Sequence, residues 1–145
     1  MDWQKLDEEI AKRALEYYHP LYAKLADFIV LYLALLILFI KPFILALIIY
    51  ALAFAIWSIN ERIVKFIFKR SRPLPLYQST VEDSISPYSF PSTHSLVAMF
   101  LATNISPAFI PIALTVAALR VVSLRHWFSD VVVGLAIGLL IGLVI

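Results

Sequence analysis

Residues 22–40 and 42–59 are two apolar runs set almost back to back, with little more than Lys41 between them. Each approaches the about 20 residues that a helix needs to cross a ~30 Å hydrocarbon core. Pro42 favours a break between them, because proline resists continuation of a helix and restricts the residue before it. Three further apolar runs follow, at 92–105, 107–122 and 128–145. The chain is 62% hydrophobic, against roughly 45–50% for an average soluble domain. Its runs are apolar on every face, which suits lipid better than a soluble core. The pattern predicts an all-α integral membrane bundle of about five transmembrane helices, folded as one domain over residues 1–145.

The first residues read differently. Trp3, Leu6, Ile10, Ala14 and Tyr17 recur at helical spacing over 2–18, and Glu8–Lys12 and Glu9–Arg13 form i,i+4 pairs on the other face. This predicts an amphipathic helix lying in the membrane interface; the alternative is a cap packed on the bundle. Met1-Asp2-Trp3 lacks the basic start of a signal peptide. At the other end, Gly134, Gly138 and Gly142 repeat every fourth residue. Such a stripe lets another helix approach closely, either inside the monomer or across a homodimer seam. With no cysteine, disulfides and thiolate metal sites are excluded, and a net charge of +2 gives no case for nucleic acid.

Polar residues gather in three places. The second run passes into Asn60, Glu61, Arg62, Lys65, Lys69, Arg70 and Arg72, interleaved with apolar residues. The pattern predicts one long helix emerging from the membrane near Lys65, with Glu61 and Lys65 paired one turn apart. Residues 73–91 are rich in proline and serine and read as a long functional loop. If the apolar runs alternate in direction, this loop, the start of the third run at Ser92 and the turn at 120–130 share one membrane face. Charges beside spans are costly and usually mark a site. Lys69, Arg70 and Arg125 are read as snorkelling cations, and His19 is given no role.

The convergent set is Lys65, Arg72, Ser92, Thr93, His94, Arg120, His126 and Asp130. Guanidinium forks suit phosphate oxygens, and a helix start at Ser92 adds backbone N–H groups and a positive dipole end. Two histidines beside a phosphate divide the labour: one attacks phosphorus and the other handles the leaving oxygen's proton. Asp130, at i+4 from His126, is placed to accept from one ring nitrogen and fix the tautomer. That leaves His94 as the acid. Zinc on two histidines and one aspartate is the rival chemistry, and three nearby cations oppose it.

These residues resemble the signature of the type-2 phosphatidic acid phosphatase superfamily. Lys65 is followed by six residues and Arg72-Pro73; Pro91-Ser92-Thr93-His94 forms the second block; Leu119-Arg120, five residues, His126, three residues and Asp130 form the third. The resemblance spans about residues 43 to 145. It implies that Lys65, Arg72 and Arg120 hold phosphate with the Ser92 hydroxyl and the Thr93 N–H. It also implies that His126 becomes a phosphohistidine, that His94 protonates the leaving alkoxide and that Asp130 orients His126, with no metal and no cofactor. Thr93 stands where the family has glycine, which makes a positive φ costly there. Leu119 stands in place of serine, and five spans are counted where the family usually has six.

The implied substrate is a membrane lipid phosphate, its chains left in the bilayer. Lipid A 1-phosphate, phosphatidylglycerol phosphate, undecaprenyl diphosphate and phosphatidic acid all fit, the lipid A 1-phosphatase branch as well as any. A lipid phosphotransferase and a non-catalytic lipid-binding protein are the other classes. All Lys and Arg except Lys41 fall on the site's face by this topology. A positive-inside count would make that face cytoplasmic. The resemblance implies the outer, periplasmic face of the inner (cell) membrane, and cations needed for phosphate are poor witnesses to orientation.

Overall fold

The structure, a computed structural model, describes residues 2–73 and 87–145. Most of the expected active-site loop, 74–86, lies outside the described residues. The rest is all-helical apart from an isolated antiparallel bridge between Ser71 and Tyr88.

Helix α1 (Trp3–Glu16) starts at Asp2, whose carboxylate accepts from the backbone of Gln4 and Lys5. Helices α2 (Leu21–Ile40) and α3 (Phe43–Ile59) are separated by extended backbone at Lys41 and Pro42, the expected break. A π turn (Asn60–Val64) carries α3 into α4 (Lys65–Phe68), giving the long continuous helix expected there. Helix α5 (Thr93–Ile105), a short 3₁₀ turn (Pro107–Phe109), α6 (Ile110–Val122) and α7 (Phe128–Val144) complete the bundle. The five expected apolar runs are therefore helical. Only Leu21–Ile40 and Phe43–Phe68 are long and apolar enough to cross a membrane by that measure; the other three are shorter apolar helices.

Helix α5 is the hub. Leu96 to Ala102 are all buried, and α2, α3, α6 and α7 pack round them. The glycine stripe of α7 makes the closest of these contacts. A Cβ on Gly134 would stand 2.6 Å from the Ser92 carbonyl oxygen, and one on Gly138 would run into that of Leu96. The stripe thus serves packing within one chain, the first of its two expected uses. The outer surfaces of α2 and α3 remain apolar and exposed, with Phe28, Leu31, Phe39, Ile44 and Phe54 among them.

Helix α1 docks on this bundle, with Ala14 the one fully buried member of the stripe read from its periodicity. Asp7, Ala11 and Ala14 are its buried residues, while Trp3 and Tyr17 are exposed. Ala11 and Ala14 are small enough to admit Leu124 and Trp127, and Asp7 finds partners described below. Leu124 needs that cover. It adopts a left-handed backbone (φ 53°) just past the end of α6, where glycine is the usual occupant. Burial under α1 offsets part of the strain.

Candidate active site

Three of the tight junctions in the bundle set the site. The backbone N–H of Ser92 donates to the Asp130 carbonyl (3.0 Å), tying the start of α5 to the first turn of α7. The reversal at Leu124 lets Arg125 and His126 donate their backbone N–H groups to the Arg120 carbonyl (3.2 and 3.3 Å). His126 is thereby folded back beneath Arg120. Beyond the undescribed segment, Ser89 is anchored by its N–H to the Arg70 carbonyl (2.8 Å) and by its hydroxyl to Ser71.

Lys65, Arg72, His94, Arg120 and His126 line one cavity of about 980 Å³, together with Asp27, Glu61 and Arg125. So residues remote in sequence do converge, and the two imidazoles share one chamber. The cavity continues along an apolar wall of Val30, Leu31, Ala34, Phe54, Trp57 and Leu101. Lys65 is fully buried and pairs with Glu61 at 2.5 Å, the i,i+4 pair expected. Arg72 donates to the Arg125 carbonyl (2.9 Å). Arg120 is buried, donates to Asp27 and to the Ala23 carbonyl, and leaves its Nε with no partner among the described residues. A buried N–H without an acceptor is costly, and an anion in the cavity would supply one. Arg125, read from sequence as a snorkelling cation, is instead part of the cavity wall.

His126 departs from expectation in its partner. Its Nδ1 lies 2.8 Å from the Ser89 carbonyl and 3.8 Å from Asp130 Oδ2. A carbonyl only accepts, so Nδ1 carries the proton and Nε2 keeps the lone pair. The direct Asp130–His126 bond expected from the i,i+4 spacing is not formed. Asp130 occupies the first turn of α7 and accepts from the Trp127 N–H (3.0 Å), while its other oxygen accepts from Arg70 (2.5 Å). Asp130 therefore fixes the loop that carries His126 rather than the ring itself. Burial, then the Arg120, Arg72 and Lys65 cations, hold His126 well below the usual imidazole range. Both effects favour the neutral ring.

Ser92 and Thr93 sit behind the cavity, fully buried. The Ser92 hydroxyl caps α5 by accepting from the Ser95 N–H (3.4 Å) and contacts the Ser95 hydroxyl (2.9 Å). Thr93 carries no positive φ, so the anticipated strain is absent. Its hydroxyl accepts from Asn60 (2.6 Å) and donates to Glu61 (2.5 Å), both on the π turn. Leu119, in place of a serine, packs against the core.

The sequence reading passed over four contributors. Arg70 bridges Asp7 (2.6 Å), Asp130 and Ser129 (2.7 Å). Asp7 also accepts from the Ser129 backbone (2.9 Å). Ser89 supplies a carbonyl, which no side-chain motif can announce. Asp27 accepts from His94 Nε2 (2.8 Å) and Arg120 (3.1 Å); a carboxylate inside an apolar run was the available signal.

An all-helical bundle that gathers guanidinium groups, an ammonium and two imidazoles round one chamber defines a class: a protein equipped to hold and transfer a phosphoryl group. Residues 44–145 match the PAP2 superfamily, and the chain belongs to it; membership indicates a phosphatase. The fold is similar to the crystal structure of a transmembrane PAP2-type phosphatidylglycerolphosphate phosphatase from Bacillus subtilis. That likeness has a TM-score of 0.72 at 23% identity, over 97% of this chain and 83% of the other. Comparison with curated proteins gives no match.

Proposed function

We propose that this chain is an integral membrane lipid phosphatase working through a phosphohistidine, its five apolar helices all spanning the bilayer and its site on the outer face of the cell membrane. One observation carries the reading: a single cavity has a cationic, imidazole-bearing end and an apolar wall, the two halves of a lipid phosphate. The exposed apolar surfaces of α2 and α3 support the membrane setting.

The Lys65 ammonium and the Arg72 and Arg120 guanidinium groups bind the phosphate oxygens, with the Arg120 Nε supplying the unused donor. His126 Nε2 attacks phosphorus as the ester P–O bond breaks, and His94 gives its proton to the leaving alkoxide. A water then gives its proton to the now neutral His94 and attacks phosphorus, the P–N bond breaks, and His126 is restored. The Ser89 carbonyl holds the His126 tautomer throughout, and Asp130 holds the loop. Charge that develops on the equatorial oxygens meets donors already in place, where preorganised dipoles act most strongly.

The test is phosphate release from phosphatidylglycerol phosphate, phosphatidic acid, prenyl diphosphate and lipid A 1-phosphate by detergent-solubilised protein in EDTA. Turnover should persist without metal and fall by about 10²-fold or more in His94→Ala and His126→Ala. An acid-labile phosphoprotein should form in the parent and be missing in His126→Ala. Turnover abolished by EDTA and restored by zinc would overturn the reading.

A further inference from the structure

Asp27 lies about two turns into α2, and its side chain is half exposed, at 56%. A single carboxylate oxygen, Oδ1, stands 2.8 Å from His94 Nε2 and 3.1 Å from Arg120 Nη1. These are the acid and one of the phosphate-holding cations of the mechanism above. One anionic oxygen of the protein thus occupies the point where an oxygen of the substrate has to go. The conflict is sharpest at His94. Nε2 carries one N–H at most, and while that N–H is spent on Asp27 it cannot protonate a leaving oxygen.

We propose that Asp27 is a specificity-determining residue: an internal stand-in for a phosphate oxygen, displaced by dianionic phosphomonoester and diphosphate headgroups but not by monoanionic phosphodiesters. The inference rests on the phosphatase reading. Its logic is competition. A bilayer presents phosphodiester headgroups in large excess, each with one negative charge. Asp27 also carries one, and its attachment to α2 gives it an effective concentration in the millimolar range or above. A diester therefore gains little by replacing it. A phosphomonoester brings about −1.5 to −2 charges and three terminal oxygens, enough to engage Lys65, Arg72 and Arg120 together. Displacement itself is eased, because the protein covers only about half of the Asp27 side chain at the cavity wall. Lys24, three residues earlier on the same helix, also lines the cavity and is exposed, so it is placed to receive the released carboxylate.

The experiment uses two soluble probes, inorganic phosphate and dimethyl phosphate, as competitive inhibitors and in direct titration calorimetry. Parent protein should bind phosphate at least about tenfold more tightly than dimethyl phosphate. In Asp27→Asn and Asp27→Ala, dimethyl phosphate binding should tighten up to about fivefold, the order expected for removing one like charge at a half-exposed site. Phosphate, which displaces the same carboxylate, should gain by a similar factor, and excess phosphatidylglycerol in mixed micelles should become inhibitory. Unchanged affinity for both anions overturns the proposal. So does a fall in kcat with unchanged anion affinity, which makes Asp27 a support for His94 instead. Thermal unfolding of both variants checks that the fold persists. Failure of the phosphatase reading is separately visible, as absence of phosphate release by the parent, because the calorimetric arm needs no turnover.

Discussion

Replacing Arg70 by glutamine tests how the site is held from behind. Its guanidinium bridges Asp7 at 2.6 Å and Asp130 at 2.5 Å, and those carboxylates are 1% and 0% exposed. Removing one partner from a buried ion pair costs about 3–5 kcal/mol, because a charge is left without compensation. Arg70 itself is 31% exposed, so water reaches the vacated place and the cost should be nearer 2–3 kcal/mol. At roughly 2–4 °C per kcal/mol for a chain near this size, the unfolding midpoint in detergent should fall by about 5–10 °C. Arg70 does not line the cavity, so kcat should drop, by about tenfold if the loop carrying His126 loosens by ~1.4 kcal/mol in the transition state, with KM almost unchanged. The double variant Asp7→Asn, Arg70→Gln should lose less than the sum of the single losses, since the two residues act as one unit. Lys69→Gln, next door and exposed, should stay within about 0.5 kcal/mol of the parent. Arg70→Gln and Lys69→Gln with the same midpoint and the same turnover would refute the reasoning.

Three further outcomes are expected. Gly138→Ala should cost about 1–3 kcal/mol in the same unfolding assay, because its methyl meets the Leu96 backbone. Gly142→Ala should cost less, since its nearest contact is the Thr103 hydroxyl, the end of a side chain. Thr93→Val keeps the shape but takes one partner each from Asn60 and Glu61, and should lower stability by about 1–3 kcal/mol and weaken phosphate affinity by disturbing the Glu61–Lys65 pair. His126 is held neutral, whereas in the unfolded chain it takes up a proton below about pH 6.5. Its contribution to stability is therefore full above that pH and declines as pH falls below it; a midpoint-against-pH plot should flatten on that side in His126→Asn.

Much of the fold was legible because its causes are local. Apolar runs, the Lys41-Pro42 break and the Ser92 cap all act within a few residues, and the three polar blocks needed only alternating spans to meet. What escaped depended on contacts across the bundle. The i,i+4 spacing of His126 and Asp130 was legible, but Asp130 also sits where α7 begins, and a helix start competes for its carboxylate. Hydrophobic periodicity gave only Ala14 of the docked face of α1, because an aspartate and a second alanine, Ala11, form the rest. Arg70 looked like any cation at a span end until Asp7, far earlier in the chain, came to lie beside it.

The π turn at Asn60–Val64 has a consequence for how the first motif must be counted. Its wider ring, closed by the Lys65 N–H on the Asn60 carbonyl, inserts one residue into the helical winding. Rewinding those same residues as an ordinary α-helix, with none removed, would swing everything downstream by about 100° round the axis. Lys65 would then point its ammonium at lipid headgroups instead of into the chamber. The lysine's worth is set by helical phase, and the same residues wound as an unbroken α-helix would leave a blind site.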